Sequence, residues 1–160
     1  MRTAKLTLLT AALAISGLAG CDRQDTPLYS HFEEIPPSGW NPLDVLVFCP
    51  MPIDSTESPQ SRYDLTMVVR YAARHKINAL PIAVTVDDNN GTLHADTIIL
   101  RPSHAEGTNK AVTRYGVTEL RLPLYKDERL TDGYALTFES FSPESHTKGV
   151  MNIGVVIERK

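Results

Sequence analysis

Five histidines, two cysteines and several acid pairs are the side chains that could carry chemistry in this 160-residue chain. His31, His75, His94, His104 and His146 are widely separated, and none stands at metal-ligand spacing from another His, a Cys or a carboxylate pair. Asp87-Asp88-Asn89-Asn90-Gly91 starts like a calcium loop, but no acid occupies the twelfth place and the flanks alternate like strands. Glu33-Glu34 and Asp127-Glu128 are adjacent, so on an extended chain their carboxylates point apart and read as solvated surface. Ser38-Gly39 and Ser103-His104 lack the Gly-x-Ser-x-Gly context of a nucleophile elbow, and no glycine-rich phosphate loop occurs. Trp40 with Tyr115 or Tyr125 could make a sugar-stacking platform, although a lone Trp beside a first strand reads more readily as a core plug. These residues name no reaction, no metal and no cofactor, so the chain is expected to be non-catalytic. A small hydrolase is disfavoured.

Cys21 is different, because its surroundings define a reaction. Arg2 and Lys5 precede an apolar run from Leu6 to Ile15, followed by small residues up to Gly20. That is the layout of a secretory signal, and the run is shorter than the roughly 20 residues a spanning helix needs. Leu18-Ala19-Gly20-Cys21 resembles the lipobox of bacterial lipoproteins, in which the chain is cut before the cysteine. The chemistry requires a thiolate, the side chain nucleophilic enough to take a diacylglycerol near neutral pH. Cleavage between Gly20 and Cys21 is therefore expected, leaving 140 residues held to a membrane by acyl chains on Cys21. Cys49 is then alone, and its place after Val45-Leu46-Val47-Phe48 predicts a small buried core residue.

Removing Arg2 and Lys5 lowers the basic residues from 16 to 14 against 19 acids, so the net charge moves from −3 to −5. A mildly acidic chain without clustered Lys and Arg argues against nucleic acid as a partner.

The elements that would position these residues are strands. Residues 21–43 hold Pro27, Pro36, Pro37 and Pro42, which bar a long helix and predict a lipidated tether. A single domain is expected over residues 44–160. Val45–Phe48 reads as a first strand, and Tyr63, Leu65, Met67, Val69 and Tyr71 alternate with polar or smaller residues at a period of two. Leu80, Ile82, Val84 and Val86 alternate next, with Pro81 placing that strand at an edge or bulge. Asn90-Gly91 predicts a hairpin with positive φ at both central positions, returning along Thr92–Leu100. Residues 101–114 read as a polar connection with a helical turn near Asn109–Arg114. Strands follow at Val117–Leu124, around Tyr134–Phe138 after the Asp132-Gly133 turn, and at Ile153–Ile157. About seven strands with one wet face each predict an antiparallel β-sandwich, jelly-roll or Ig-like, with a small barrel as the alternative.

Several features spread along the mature chain resemble the GldH-type gliding motility lipoproteins, with this chain a divergent member. They are Tyr29…Phe32…Ile35…Gly39-Trp40…Asp44 leading into Val47-Phe48; Tyr63-Asp64-Leu65…Val69-Arg70 with Asn78…Leu80; Asp88…Gly91 with Asp96-Thr97-Ile98; and Gly133-Tyr134…Phe138 with Gly149-Val150…Ile153-Gly154-Val155…Ile157-Glu158. The resemblance implies a cell-envelope lipoprotein, a scaffold or accessory part of gliding motility and its secretion machinery, acting by binding another envelope protein. It also makes the outer membrane the favoured location over the inner, since an acidic stretch such as Asp22 and Asp25 is compatible with outward export in that group. A surface carbohydrate- or ligand-binding lipoprotein is the alternative, and an open sheet edge near Pro81 is the expected docking place.

Overall fold

The computed structural model describes residues 26–50, 60–75, 77, 79–101, 110–142 and 147–160. Gly20, Cys21 and the signal segment lie outside the described residues, as do His104 and His146. The described chain is all-β: β1 (Tyr29–Glu34), β2 (Leu46–Phe48), β3 (Tyr63–Ala72), β4 (Leu80–Asp88), β5 (Gly91–Leu100), β6 (Lys110–Arg114), β7 (Val117–Glu128), β8 (Ala135–Ser140) and β9 (Val150–Arg159). Two antiparallel sheets pack as a sandwich, one ordered β1-β9-β3-β7-β6 and the other β2-β8-β4-β5. The pairings nest from the outside inwards, β1 with β9, β2 with β8, β3 with β7 and β4 with β5. That is jelly-roll winding, with β6 added at one edge.

The core forms because alternate residues of each strand are apolar. Leu65, Met67 and Val69 of β3 and Ile153, Val155 and Ile157 of β9 face Ile82, Val84 and Val86 of β4 and Leu136 and Phe138 of β8, all buried. Phe48 packs on Phe138 with ring centroids 5.2 Å apart. Each such side chain contributes roughly 1.5–3 kcal/mol on burial.

Nine strands are described where about seven were expected, and both additions have physical reasons. β1 falls within the segment expected to be tether, yet Tyr29–Glu34 pairs along β9 from Ile157 to Asn152. The sheet therefore includes Tyr29–Glu34, ahead of Asp44. Its burial is partial, so no clean alternation advertises it. β6 replaces the expected helical turn, because Tyr115 and Gly116 both take positive φ (51° and 79°) and close a two-residue hairpin between Arg114 and Val117. In the β4–β5 hairpin, the positive φ falls at Gly91 (129°) and not at Asn90, whose N–H donates to Asp88 Oδ1 at 2.7 Å.

Pro81 is also placed differently. It lies in an inner strand, between β5 and β8, and its carbonyl accepts the Phe141 N–H at 3.0 Å. A residue's N and O point to the same side of a strand, so the absent N–H faces β8 just where that strand ends at Ser140. Proline is tolerated there without an exposed edge.

Candidate functional site

The two outer faces of the sandwich differ in chemistry. On the five-stranded sheet, Arg70 Nε donates to Glu119 Oε2 at 2.8 Å and Arg121 Nε to Glu119 Oε1 at 2.9 Å. Partial burial opposes the Glu119 charge, but the two arginines overcome that and hold its carboxyl below the usual range. The Arg70 guanidinium also sits 4.2 Å over the Phe32 ring, which lies across Gly154 of the neighbouring strand. This face is charged, with one carboxylate clamped between two guanidinium groups.

The four-stranded sheet has the opposite character. Leu46 and Phe48, Leu136 and Phe138, Ile82, Val84 and Val86, and Ile98 and Leu100 point inward, so their alternates point outward. The register lines these up as Val47–Thr137–Thr85–Ala95, then Glu139–Ala83–Thr97, then Pro81–Ile99. Glu139 is the one charge in those three rows, and Val47 and Ile99 are 50% and 48% exposed.

This face ends at β5, a ten-residue edge strand. Because Pro81 directs its carbonyl to β8, Ile82 and Val84 direct theirs to β5. Their partners Ile98 and Asp96 therefore bond inward, and the backbones of Ala95, Thr97 and Ile99 point away from β4. No described strand lies on that side. The other edges are blunted: β2 has three residues between Pro42 and Pro50, β1 carries His31, Glu33 and Glu34, and β6 carries Arg114. Beyond the displaced Leu93, where the β4–β5 register shifts, β5 has neither proline nor lysine.

The inner side of β5 is pinned to the other sheet. The His94 ring stacks on Tyr125 at 4.4 Å and 16°, with His94 Nε2 3.0 Å from Glu128 Oε1. The Tyr125 hydroxyl donates to Asp96 Oδ2 at 2.8 Å. Burial first, and then the Asp96 carboxylate, push the Tyr125 phenol far up, so it stays protonated and keeps donating. The cluster fixes the strand; it presents no nucleophile to His94. Nothing in the sequence spacing marks it, since its members lie about thirty residues apart.

The residues singled out by sequence are distributed as follows. Trp40 is fully buried, with Nε1 donating to the Asp44 carbonyl at 3.0 Å, so it plugs the core and cannot stack on a sugar. Tyr115 is fully exposed at the β6–β7 turn. Tyr125 lies eight residues beyond Val117 along β7, about 27 Å at strand rise, so the two tyrosines share no platform. Cys49 is exposed, not buried, because Phe48 takes the inward position and the alternation turns Cys49 out. His31 bonds Glu33 at 2.9 Å on the surface. Among the described residues, no three His, Cys, Asp or Glu side chains are grouped as a metal site. The geometry thus defines an all-β jelly-roll domain with a sheet face that has few charges and an edge strand, β5, with no second neighbour among the described residues. Compared with known proteins, the chain matches no family model and no curated protein.

Proposed function

We propose that this chain is a lipid-anchored, non-catalytic cell-envelope protein, held by acyl chains on Cys21. It serves as a scaffold or accessory component of gliding motility and its associated secretion machinery by binding another envelope protein. The observation that carries the binding reading is the outer face of the four-stranded sheet, which has few charges, running into β5, an edge strand with no second described neighbour. Ala95, Thr97 and Ile99 offer main-chain donors and acceptors to an added strand, and Val47, Thr85 and Thr137 give an apolar and hydroxyl floor beside it. The anchor rests on the Leu18-Ala19-Gly20-Cys21 signature, the motility role on the GldH-type resemblance, and the outer membrane as location on the same resemblance.

A photo-crosslinking residue at Thr97 tests the binding reading when compared with one at Arg121 on the charged face. Thr97 is expected to capture an envelope component whose own loss impairs motility or secretion, and Arg121 is not. Cys21→Ser should move the chain from the membrane pellet to the soluble fraction. Normal motility and secretion after deletion of the gene would exclude the proposed role.

A further inference from the structure

At the end of the sandwich where β1 and β3 finish and β9 begins, an open cleft of about 480 Å3 is lined by Glu34, Arg74, His75, Lys148 and Asn152 over Ile35. The size is that of a small-ligand site. His75 Nδ1 and Asn152 Oδ1 are shielded from solvent and have no hydrogen-bond partner. Buried polar atoms are ordinarily paired, so two unpaired ones on residues of a single cleft wall stand out.

Close backbone packing shapes the wall. The His75 N–H donates to the Ala72 carbonyl, and the Ala72 N–H to the Gly149 carbonyl, both at 2.9 Å. Gly149 has φ +92°, and a Cβ there would overlap the His75 Cβ and ring. Only glycine lets the strand approach His75 so closely.

We infer that this cleft binds a small ligand through an oxyanion, either a carboxylate or a phosphate. Arg74 and Lys148 supply two cations against the single Glu34 carboxylate, on a chain whose total charge is negative. Imidazole with its proton on Nδ1 is a donor, and the Asn152 amide turned about its Cβ–Cγ bond presents Nδ2 in place of Oδ1. Two cations line the cleft and two potential donors lie in its wall, a set suited to an acceptor-only group, and Glu34 is left to accept from a hydroxyl or ammonium on the same ligand. The site is separate from the β5 face and does not depend on the proposed partner.

The test is an NMR titration of the full chain in detergent micelles, at constant ionic strength, with sodium acetate in one arm and sodium phosphate in the other. Either anion should give saturable shifts of the His75 ring and the Asn152 side-chain amide, with His31 and His94 unmoved. The tighter arm identifies the oxyanion. Arg74→Ala with Lys148→Ala, both exposed and so without effect on folding, should weaken binding at least tenfold, and Lys148→Glu more. Shifts that are linear in both arms, that are equal at all three histidines, or that persist in Lys148→Glu would overturn the inference.

Discussion

Trp40 offers the most direct check on how the sandwich is closed. It is fully buried, and it is joined to Thr147 by two main-chain bonds: Trp40 N–H to the Thr147 carbonyl at 3.1 Å, and the reverse at 2.9 Å. The bridge ties the chain before β2 to the chain before β9. Gly39, at φ +108°, has no room for a side chain, since a Cβ would stand 2.8 Å from the Thr147 oxygen. Trp40→Ala removes a whole buried indole and leaves a cavity, a change that costs about 3–5 kcal/mol. Trp40→Phe keeps most of the packing and loses the 3.0 Å bond to the Asp44 carbonyl, costing about 1–2 kcal/mol. For a domain of this size each kcal/mol moves the melting temperature by about 3–5 °C. The expected drops are thus roughly 9–25 °C for alanine and 3–10 °C for phenylalanine.

Calorimetry reads both variants. Because Trp40 is the sole tryptophan, the parent's own fluorescence gives an independent readout: blue-shifted emission that iodide quenches poorly. An alanine variant melting within about 3 °C of the parent, together with freely quenched indole emission from the parent, would refute the buried plug. It would also restore Trp40 as a surface aromatic.

Other outcomes follow from single contacts. Gly154→Ala places a methyl against the Phe32 ring and should destabilise by about 1–3 kcal/mol in urea titrations; pairing it with Phe32→Ala should recover part of the loss, a non-additivity absent if the ring does not cover Gly154. Glu119 titrates below its ordinary value, so its contribution is complete above about pH 4.3 and is lost as pH falls through the lower folded value. Glu119→Gln should therefore flatten the acid limb of the stability curve by no more than about 1 kcal/mol, and an unchanged slope would deny the arginine clamp. Cys49 should react with a neutral maleimide in the native chain about as fast as in urea; strong native protection would return it to the core.

Period-two spacing of apolar residues was legible along β3, β4, β7, β8 and β9, although Val68 of β3 and Gly154 and Val156 of β9, at outward positions, are buried as well. β1 and β6 escaped because edge strands bury little and carry His31, Glu33 or Arg114 where alternation would need apolar residues. Cys49 shows the opposite error. A continuous run from Val45 to Phe48 suggests burial throughout, but only Phe48 is fully inside; Val45 and Val47 are half exposed on the outer face. Pro81 misled because the edge rule concerns hydrogen bonding, not position in the sheet, and a strand end next to a finished neighbour satisfies it equally well. The cleft at Glu34, His75 and Asn152 has no sequence signature, since three separate elements meet there only in the folded sheet.

The position of the β5 edge follows from the winding itself. Nested pairing places the innermost hairpin, β4 with β5, at one side of the four-stranded sheet, and β4 gives its other side to β8. β5 is then left with one neighbour in its own sheet. The equivalent strand of the other sheet, β7, meets the same fate in a plain nested winding. Here β6 folds back through Tyr115 and Gly116 and covers it. One of two topologically matched edges is thus closed by the chain's own hairpin, and the other has no second neighbour among the described residues, beside a face with few charges. Sequence on β5 does little to discourage pairing beyond the shift at Leu93, and the His94–Glu128 and Tyr125–Asp96 bonds hold the strand in place from within. An edge that is pinned from within, without a second described neighbour and bordered by Thr, Ala, Val and Ile, is a liability for a free protein and an advantage for one that docks.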